Sequence, residues 1–202
     1  MTIFMKNVDK VKFSTRLEKI AKKQIPFTCA KALNDTAFGI VKDEQHALEE
    51  HLDRPTPFTK RAFQVEKASK NRLVAYVKVR QLQGRYLRYQ IRGGTRSPNR
   101  RAIPVPVKQR LNKYGNMPRG AIGRMLVNKK VFSGVPRGRS AEGIYQIMGG
   151  RRNRHLKMLV AYEKSASYEK RFPFYAVAGN HVQRHFRANL RRASRYAMQT
   201  AR

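Results

Sequence analysis

The residues of this chain that could do chemistry are few and scattered. His181 and His185 lie four residues apart, the spacing at which two side chains share one helix face and can share a metal ion. No third ligand is evident and no Glu follows His181, so a packing role is the better interpretation. The single cysteine, Cys29, falls in an apolar helical pattern, which predicts a buried free thiol rather than a nucleophile. We therefore expect neither a metal site nor a cofactor.

Carboxylates are almost absent from most of the chain, although a nuclease or polymerase needs them in clusters to hold a divalent metal. Nine of the 12 Asp and Glu residues lie in residues 1–66, and only Glu142, Glu163 and Glu169 follow. The glycine-containing stretch 115–120 lacks the Lys-Ser/Thr pair that ends a phosphate-binding loop. The sequence therefore predicts a protein that is not an enzyme.

Basic residues dominate the rest of the chain. The 202 residues include 45 Lys and Arg, which gives a formal net charge of +33 at pH 7. Residues 1–66 hold 12 of these cations against nine acids, whereas the remaining 136 residues hold 33 against three. Like charges at this density repel, so we expect a polyanionic partner, and nucleic acid is the first candidate. No stretch approaches the roughly 18 apolar residues of a membrane span, so we expect no membrane partner.

The spacing of apolar residues predicts the elements that must position these charges. Helical spacing continues from residue 7 to residue 52, and Pro26 is expected to divide it into two helices. The predicted elements are, in chain order, helices at 7–24 and 26–52, a short helix from Pro57, a strand at 73–79 pairing with 63–67, a helix at 82–91, a short helix at 121–127, strands at 131–132, 144–148 and 156–162, and a closing helix opened by Phe172.

This order of elements predicts an α+β fold. N-terminal helices and a long C-terminal helix would pack on a small antiparallel sheet, beside a long extended basic arm. We expect a single domain over residues 1–202, with a helical N-terminal part at 1–54, an α+β core at 55–91 and 120–202, and the arm at 92–119. The arm contains eight Lys and Arg, four prolines and no acid, so no packed element of ordinary length is expected there.

The closing helix has an apolar side and a basic side. One side carries the recurring apolar residues Val182, Phe186, Leu190, Ala193 and Ala197. On the other side arginines recur at spacings of three and four with no interleaved acid. This basic side is either a solvated face or a surface that follows phosphates or an acidic partner. The residues expected to contact nucleic acid or an acidic partner lie in the arm, in the basic turns and on this helix: Arg92, Arg96, Arg100, Arg101, Lys108, Arg110, Arg119, Arg137, Arg139, Arg151, Arg152, Arg154, Arg184, Arg187, Arg191 and Arg195.

Three stretches of the sequence resemble a known family. They are Ala-Leu-Asn-Asp-Thr-Ala at 32–37, Tyr-Leu-Arg-Tyr-Gln-Ile-Arg-Gly-Gly-Thr-Arg at 86–96 and Asn-Lys-Tyr-Gly-Asn-Met-Pro-Arg-Gly at 112–120. With the Phe-Pro-Phe start of the closing helix at 172–174, they are similar to the bacteriophage minor tail protein Z family, the tail completion proteins of long-tailed phages. The resemblance implies a small α+β domain assembled as a ring around the DNA channel at the head–tail junction. It carries over no catalytic residue.

The residues and the resemblance together predict a structural virion protein of a tailed bacteriophage, a tail completion or head–tail connector (neck) subunit. The expected partners are further copies in a homo-oligomeric ring, other neck, portal-adaptor or tail proteins, and packaged double-stranded DNA. We expect the protein to be made in the bacterial host cytoplasm and to reside in the virion. The alternative is a free nucleic-acid-binding protein of ribosomal or nucleoid type without sequence preference, which the composition supports equally well.

Overall fold

The computed structural model describes residues 7–98, 101–150 and 152–200, and for residues 7–17 and 19–21 it describes the backbone alone. The fold is α+β, as predicted, with a long C-terminal helix and small antiparallel sheets. The chain divides into two compact units. Unit 1 contains the described residues up to His51, Pro57–Arg85 and the residues from Pro173 onward, and unit 2 contains Leu52–Thr56 and Tyr86–Phe172. A single domain over residues 1–202 stays a prediction.

The elements of unit 1 are two long helices, one short helix and a hairpin. In chain order they are α1 (Asn7–His51), α2 (Pro57–Lys60), β1 (Phe63–Glu66), β2 (Tyr76–Val79) and, after unit 2, the closing helix, which is α5 (Phe174–Gln199). Helix α3 (Gln81–Arg92) begins in unit 1 and ends in unit 2. Helix α1 packs along α5 and contacts the hairpin as well.

The prediction of two N-terminal helices is wrong, because α1 is continuous and contains Pro26. A proline inside a helix removes one hydrogen bond and crowds the preceding turn, at a cost of about 3 kcal/mol. Directly after Pro26 the helix buries Thr28, Ala30 and Ala32. Tertiary packing of this stretch outweighs the local penalty, and a single sequence does not reveal that packing.

Strands β1 and β2 pair in antiparallel fashion, with Phe63 opposite Val79 and Glu66 opposite Tyr76, which confirms the predicted pairing. Asn34 on α1 holds this hairpin against the helix through two hydrogen bonds. Its Nδ2 donates to the Ala68 carbonyl at 3.0 Å, and its Oδ1 accepts from the Ala68 N–H at 2.7 Å. One amide side chain thus serves both backbone groups of a residue between the strands.

Unit 2 is built around a four-stranded antiparallel sheet. Its elements are β3 (Gly94–Arg96), β4 (Ile103–Pro106), α4 (Ala121–Leu126), β5 (Val131–Gly134), β6 (Gly143–Met148), β7 (His155–Glu163) and β8 (Ala166–Tyr168). The large sheet has the order β4-β7-β6-β5, and β3 pairs with β8. The buried side chains of Ile144, Leu159 and Val160 form its core, against which Ile122 and Met125 of α4 pack.

Residues 92–119, predicted as an extended arm without packed elements, contain two short strands. Strand β4 pairs with β7 even though it includes Pro104 and Pro106. The prolines are tolerated because β4 is the edge strand of its sheet, where a missing N–H faces away from the ladder. Strand β3 pairs with β8. In these two stretches the segment is part of unit 2. Arg100 lies outside the described residues. The role of the segment as an extended arm that contacts a partner stays a prediction.

Candidate nucleic-acid interface

Helix α5 packs on α1 through small and polar side chains. Its fully buried residues are His181, Asn189, Ala193 and Ala197, while Phe186 and Leu190 are half-buried and Val182 is 41% exposed. Ala193 and Ala197 of the expected apolar line are fully buried, as predicted, whereas His181 and Asn189 are buried more deeply than Val182. The helix packs mainly on α1, and Phe174 at its start stacks on Phe63 of β1, with the ring centroids 5.8 Å apart. Small residues take the deepest positions because they allow two helix backbones to approach closely.

Two hydrogen-bonded contacts fix α5 on α1. The Asn189 Nδ2 donates to the hydroxyl oxygen of Thr36 at 2.9 Å, and that hydroxyl donates to the Ala32 carbonyl at 2.8 Å. The His181 Nδ1 lies 2.6 Å from the Asp43 Oδ2, and its ring covers the Cα of Gly39. These polar groups pair across the contact between α1 and α5, which we call the seam. The pairs fix the rotation of α5 relative to α1, and therefore also which side of α5 faces solvent.

The arginine face of α5, which we define as Arg184, Arg187, Arg191 and Arg195, lies on the side opposite the buried line. All four side chains are exposed. Spacings of three and four residues place neighbouring side chains about 5–6 Å apart on one helix surface. From the first to the last arginine the row is about 16 Å long, at 1.5 Å per residue. The predicted set of helix arginines is thus brought together on one surface.

No acid neutralises this row within the part of the chain that the structure describes. Helix α5 itself has no Asp or Glu. The acids elsewhere in unit 1 serve other cations: Glu49 pairs with Lys60, and Glu66 pairs with both Lys78 and Arg72. The hydrogen bonds from Lys78 and Arg72 hold the pKa of Glu66 below its usual value. Four guanidinium groups therefore face solvent with their donors available to an external anion.

One further cation on this helix was missed by the sequence prediction. Arg192 is exposed, and its guanidinium donates to the Asn189 Oδ1. It lies between the buried line and the arginine face, so spacing alone does not assign it to either. Its position next to Arg191 in the sequence was the available signal.

The predicted contact residues of unit 2 do not form one row. Arg92, Arg101, Lys108, Arg110, Arg119, Arg137, Arg139, Arg152 and Arg154 are exposed and Arg96 is half-buried, whereas Arg100 and Arg151 lie outside the described residues. Arg101 pairs with Glu142 at 2.8 Å, and the guanidinium of Arg139 lies 5.8 Å from the centroid of the Tyr145 ring. These two pair with Glu142 and Tyr145 within the unit. Arg92 is the last residue of α3, and the other exposed cations lie in separate turns and loops.

Of the residues with possible catalytic or metal chemistry, His181 is buried in the contact between α5 and α1. His185 is exposed, with its ring 4.5 Å from that of His181. Across residues 7–98, 101–150 and 152–200, no three His, Cys, Asp or Glu side chains are grouped to hold a metal ion. Cys29 is a free thiol and is half-buried rather than fully buried as predicted. None of the helices, over the same residues, is long and apolar enough to cross a membrane.

Comparison with known proteins gives no relative: no family model, no curated protein and no solved structure matches the chain.

Proposed function

We propose that the protein is a structural subunit of the neck of a tailed bacteriophage, a tail completion or head–tail connector protein. In this proposal several copies form a ring at the head–tail junction, and the arginine face of α5 contacts packaged double-stranded DNA. The proposal combines the chemistry of one surface with the resemblance of the sequence to the minor tail protein Z family.

The observation that carries the DNA contact is the arginine face. A solvated helix surface in a folded protein normally alternates its charges, because Glu–Lys and Asp–Arg pairs at three and four residues stabilise the helix. Here four like charges stand in a row, and like-charged neighbours at this spacing cost free energy. An external polyanion removes that repulsion and supplies acceptors for all four guanidinium groups.

Duplex DNA suits this surface better than a single bound anion does. Arginine donates in a planar fork that matches phosphate oxygens, and the row is long enough to meet several phosphates of one strand. Phosphate contacts of this kind position a protein on DNA without reading the bases. We therefore infer binding without sequence preference.

The place in the neck rests on the resemblance at 32–37, 86–96 and 112–120. The first stretch contains Ala32 and Thr36, which take part in the seam between α1 and α5. The third is a turn in which the Asn112 Oδ1 accepts from the N–H groups of Tyr114 and Asn116, both at 3.0 Å. Both stretches thus have a local structural reason for their residue types, in addition to the resemblance.

The proposal is tested by asking where the protein resides and what it binds. The phage that encodes it is purified, and the tagged protein is located in virions by electron microscopy. We expect label at the head–tail junction, and equal affinity of the purified protein for two duplexes of unrelated sequence. If the protein is present in infected cells but absent from virions, the alternative of a free nucleic-acid-binding protein takes its place. If it is in virions but does not bind DNA, its basic surface serves acidic neck proteins.

A further inference from the structure

Unit 2 contains a cleft of about 370 Å³ that the proposed function does not use. Three cations and three amide side chains line it: Lys108, Arg124, Lys157, Gln109, Asn128 and Gln146. We name this set the cationic cleft. Only Lys108 was among the residues predicted from the sequence to contact a partner. Arg124 and Lys157 were missed, because neither lies in a run of basic residues.

The register of the sheet explains why polar side chains line one end of this surface. Gln146 on β6 lies opposite Val131 on β5 and opposite Lys157 on β7, so the three form a row across the sheet. Two residues further along β6 and β7, Ile144 and Leu159 are buried, and a register shift at this point places Ile144 opposite Val160. Helix α4 packs on this apolar half, and the polar half remains accessible beside it.

The other two cations reach the cleft from its two sides. Directly after β4, the backbone N–H of Lys108 donates to the Leu159 carbonyl at 3.2 Å, which extends the ladder past the strand. Arg124 lies in α4, where its backbone N–H donates to the Gly120 carbonyl at 3.1 Å. Both backbones are therefore held in hydrogen-bonded structure, from which the exposed side chains of Lys108 and Arg124 extend.

The three cations stand together without a counter-charge. Among the residues that the structure describes, none of Lys108, Arg124 and Lys157 forms an ion pair, and no acid lines the cleft. Lys157 is half-buried, so solvent screens its charge less than it would at the surface. Three like charges in one cleft repel each other, which is unfavourable. A bound anion with several acceptor oxygens replaces this repulsion with attraction.

The rest of the lining suits an organic group attached to that anion. The Asn128 Oδ1 accepts the N–H of Lys130 at 2.9 Å, which leaves its Nδ2 as a donor. The Gln109 Nε2 donates to the Arg110 carbonyl at 3.4 Å, which leaves its second N–H as a donor and its oxygen as an acceptor. Gln146 adds a further amide that can both donate and accept. The lining also includes the apolar side chains of Met125 and Leu159. Cations, amides and apolar side chains together match a phosphate joined to a nucleobase.

We propose that the cationic cleft binds a nucleotide, with Lys108, Arg124 and Lys157 on its phosphate and the amides on its base. The nucleotide is either free or one unit of a nucleic acid strand. The proposal concerns unit 2 alone and does not rest on the arginine face of α5 or on a place in the neck.

Calorimetric titration of the full-length protein at low salt tests the site with defined probes. Adenosine monophosphate is expected to bind, inorganic phosphate to compete with it, and adenosine to bind at least about tenfold more weakly, because charge-assisted hydrogen bonds supply most of the affinity. The triple variant K108Q/R124Q/K157Q is expected to lose at least about tenfold in affinity for the monophosphate. A short single-stranded oligonucleotide identifies the source: tighter binding than the monophosphate assigns the cleft to a strand, and weaker binding assigns it to a free nucleotide.

The matched control is K164Q/K170Q/R171Q, which removes the same charge at exposed positions outside the cleft. Thermal unfolding of both triples checks that they fold. Equal loss of affinity in the two triples would overturn the proposal, because binding would then follow net charge. Equal affinity for adenosine and its monophosphate, or no binding of either, would overturn it as well. A variant of the arginine face, R187Q/R191Q/R195Q, is expected to bind the monophosphate normally, so failure of the DNA contact and failure of the cleft are distinguishable.

Discussion

Glu44 is a carboxylic acid in a buried position where no neighbouring group that the structure describes stabilises its ionised form. It lies on α1, is fully buried, and neither carboxyl oxygen has a hydrogen-bond partner among the described residues. Burial raises the pKa of Glu44 from 4.5 to about 8, and the neighbouring Asp43 carboxylate adds to the rise. At neutral pH the folded protein therefore holds this group in its protonated form.

The raised pKa of Glu44 predicts that the free energy of unfolding decreases as the pH rises from about 4.5 to about 8. In that window the folded state keeps a proton that the unfolded state releases, so alkali favours unfolding. The slope from this one group is at most about 1.4 kcal/mol per pH unit. Urea unfolding at pH 5, 6.5 and 8 measures it, and E44Q, which cannot ionise, is expected to be less pH-dependent than the wild type.

The control for Glu44 is E50Q, which changes an exposed acid on the same helix. It should leave the pH dependence of unfolding close to that of the wild type. Identical pH dependence in the wild type and E44Q would mean that Glu44 is ionised in the folded protein and has partners that stabilise its charge.

At the same scale, the sequence predicted which residues are charged and exposed better than which are buried. The arginine face follows from spacing alone, because nothing but arginine recurs on that side of the helix. The buried line of α5 follows from spacing only in part: Ala193 and Ala197 are buried as expected, but periodicity favours Val182, whereas the helix buries His181 and Asn189. Their partners Asp43 and Thr36 are more than a hundred residues away in the sequence, and without those partners a buried His or Asn is unfavourable.

At the scale of elements, the seam between α1 and α5 depends on a glycine. A Cβ at Gly39 would overlap the buried ring of His181, which its hydrogen bond to Asp43 holds in place. We expect G39A to lower the free energy of unfolding, because overpacking costs about 1–3 kcal/mol while the gain in helix propensity is at most about 1 kcal/mol. Chemical denaturation measures the net effect.

Gly179 on α5 provides the matched control for Gly39. Nothing lies within 4 Å of a Cβ added there. G179A should therefore stabilise the protein by up to about 1 kcal/mol through helix propensity. If G39A stabilises by the same amount as G179A, the two helices are not in close contact at Gly39.

Elements with local signals were predicted, and those that depend on distant partners were not. Helical or alternating spacing within the segment itself identified α3, α4 and the strands β5, β6 and β7. Strands β3 and β4 are short, rich in glycine, proline or arginine, and pair with β8 and β7 far along the chain. The continuity of α1 through Pro26 depends likewise on packing rather than on propensity.

At the scale of the whole molecule, the distribution of charge separates the acids from the arginines. Nine of the 12 acids precede residue 67, and α1 carries most of them. Helices α1 and α5 belong to the same unit and meet through the Asp43–His181 and Thr36–Asn189 pairs. These pairs lie on the buried side of α5, so within the described residues the acids of α1 do not neutralise the arginine face on its other side. The charge on α5 is therefore available to a partner.

The salt dependence of duplex binding measures whether the arginine face of α5 contacts DNA phosphates. Each phosphate contact contributes about 0.9 to the slope of log affinity against log salt on duplex DNA. R187Q/R191Q/R195Q should therefore reduce the slope by up to about 3 while the protein remains folded. K22Q/K23Q/K42Q, which removes three exposed cations from α1, should reduce it much less. Equal slopes in the two triple variants, or a slope in the arginine variant equal to that of the wild type, would show that α5 does not contact the phosphates.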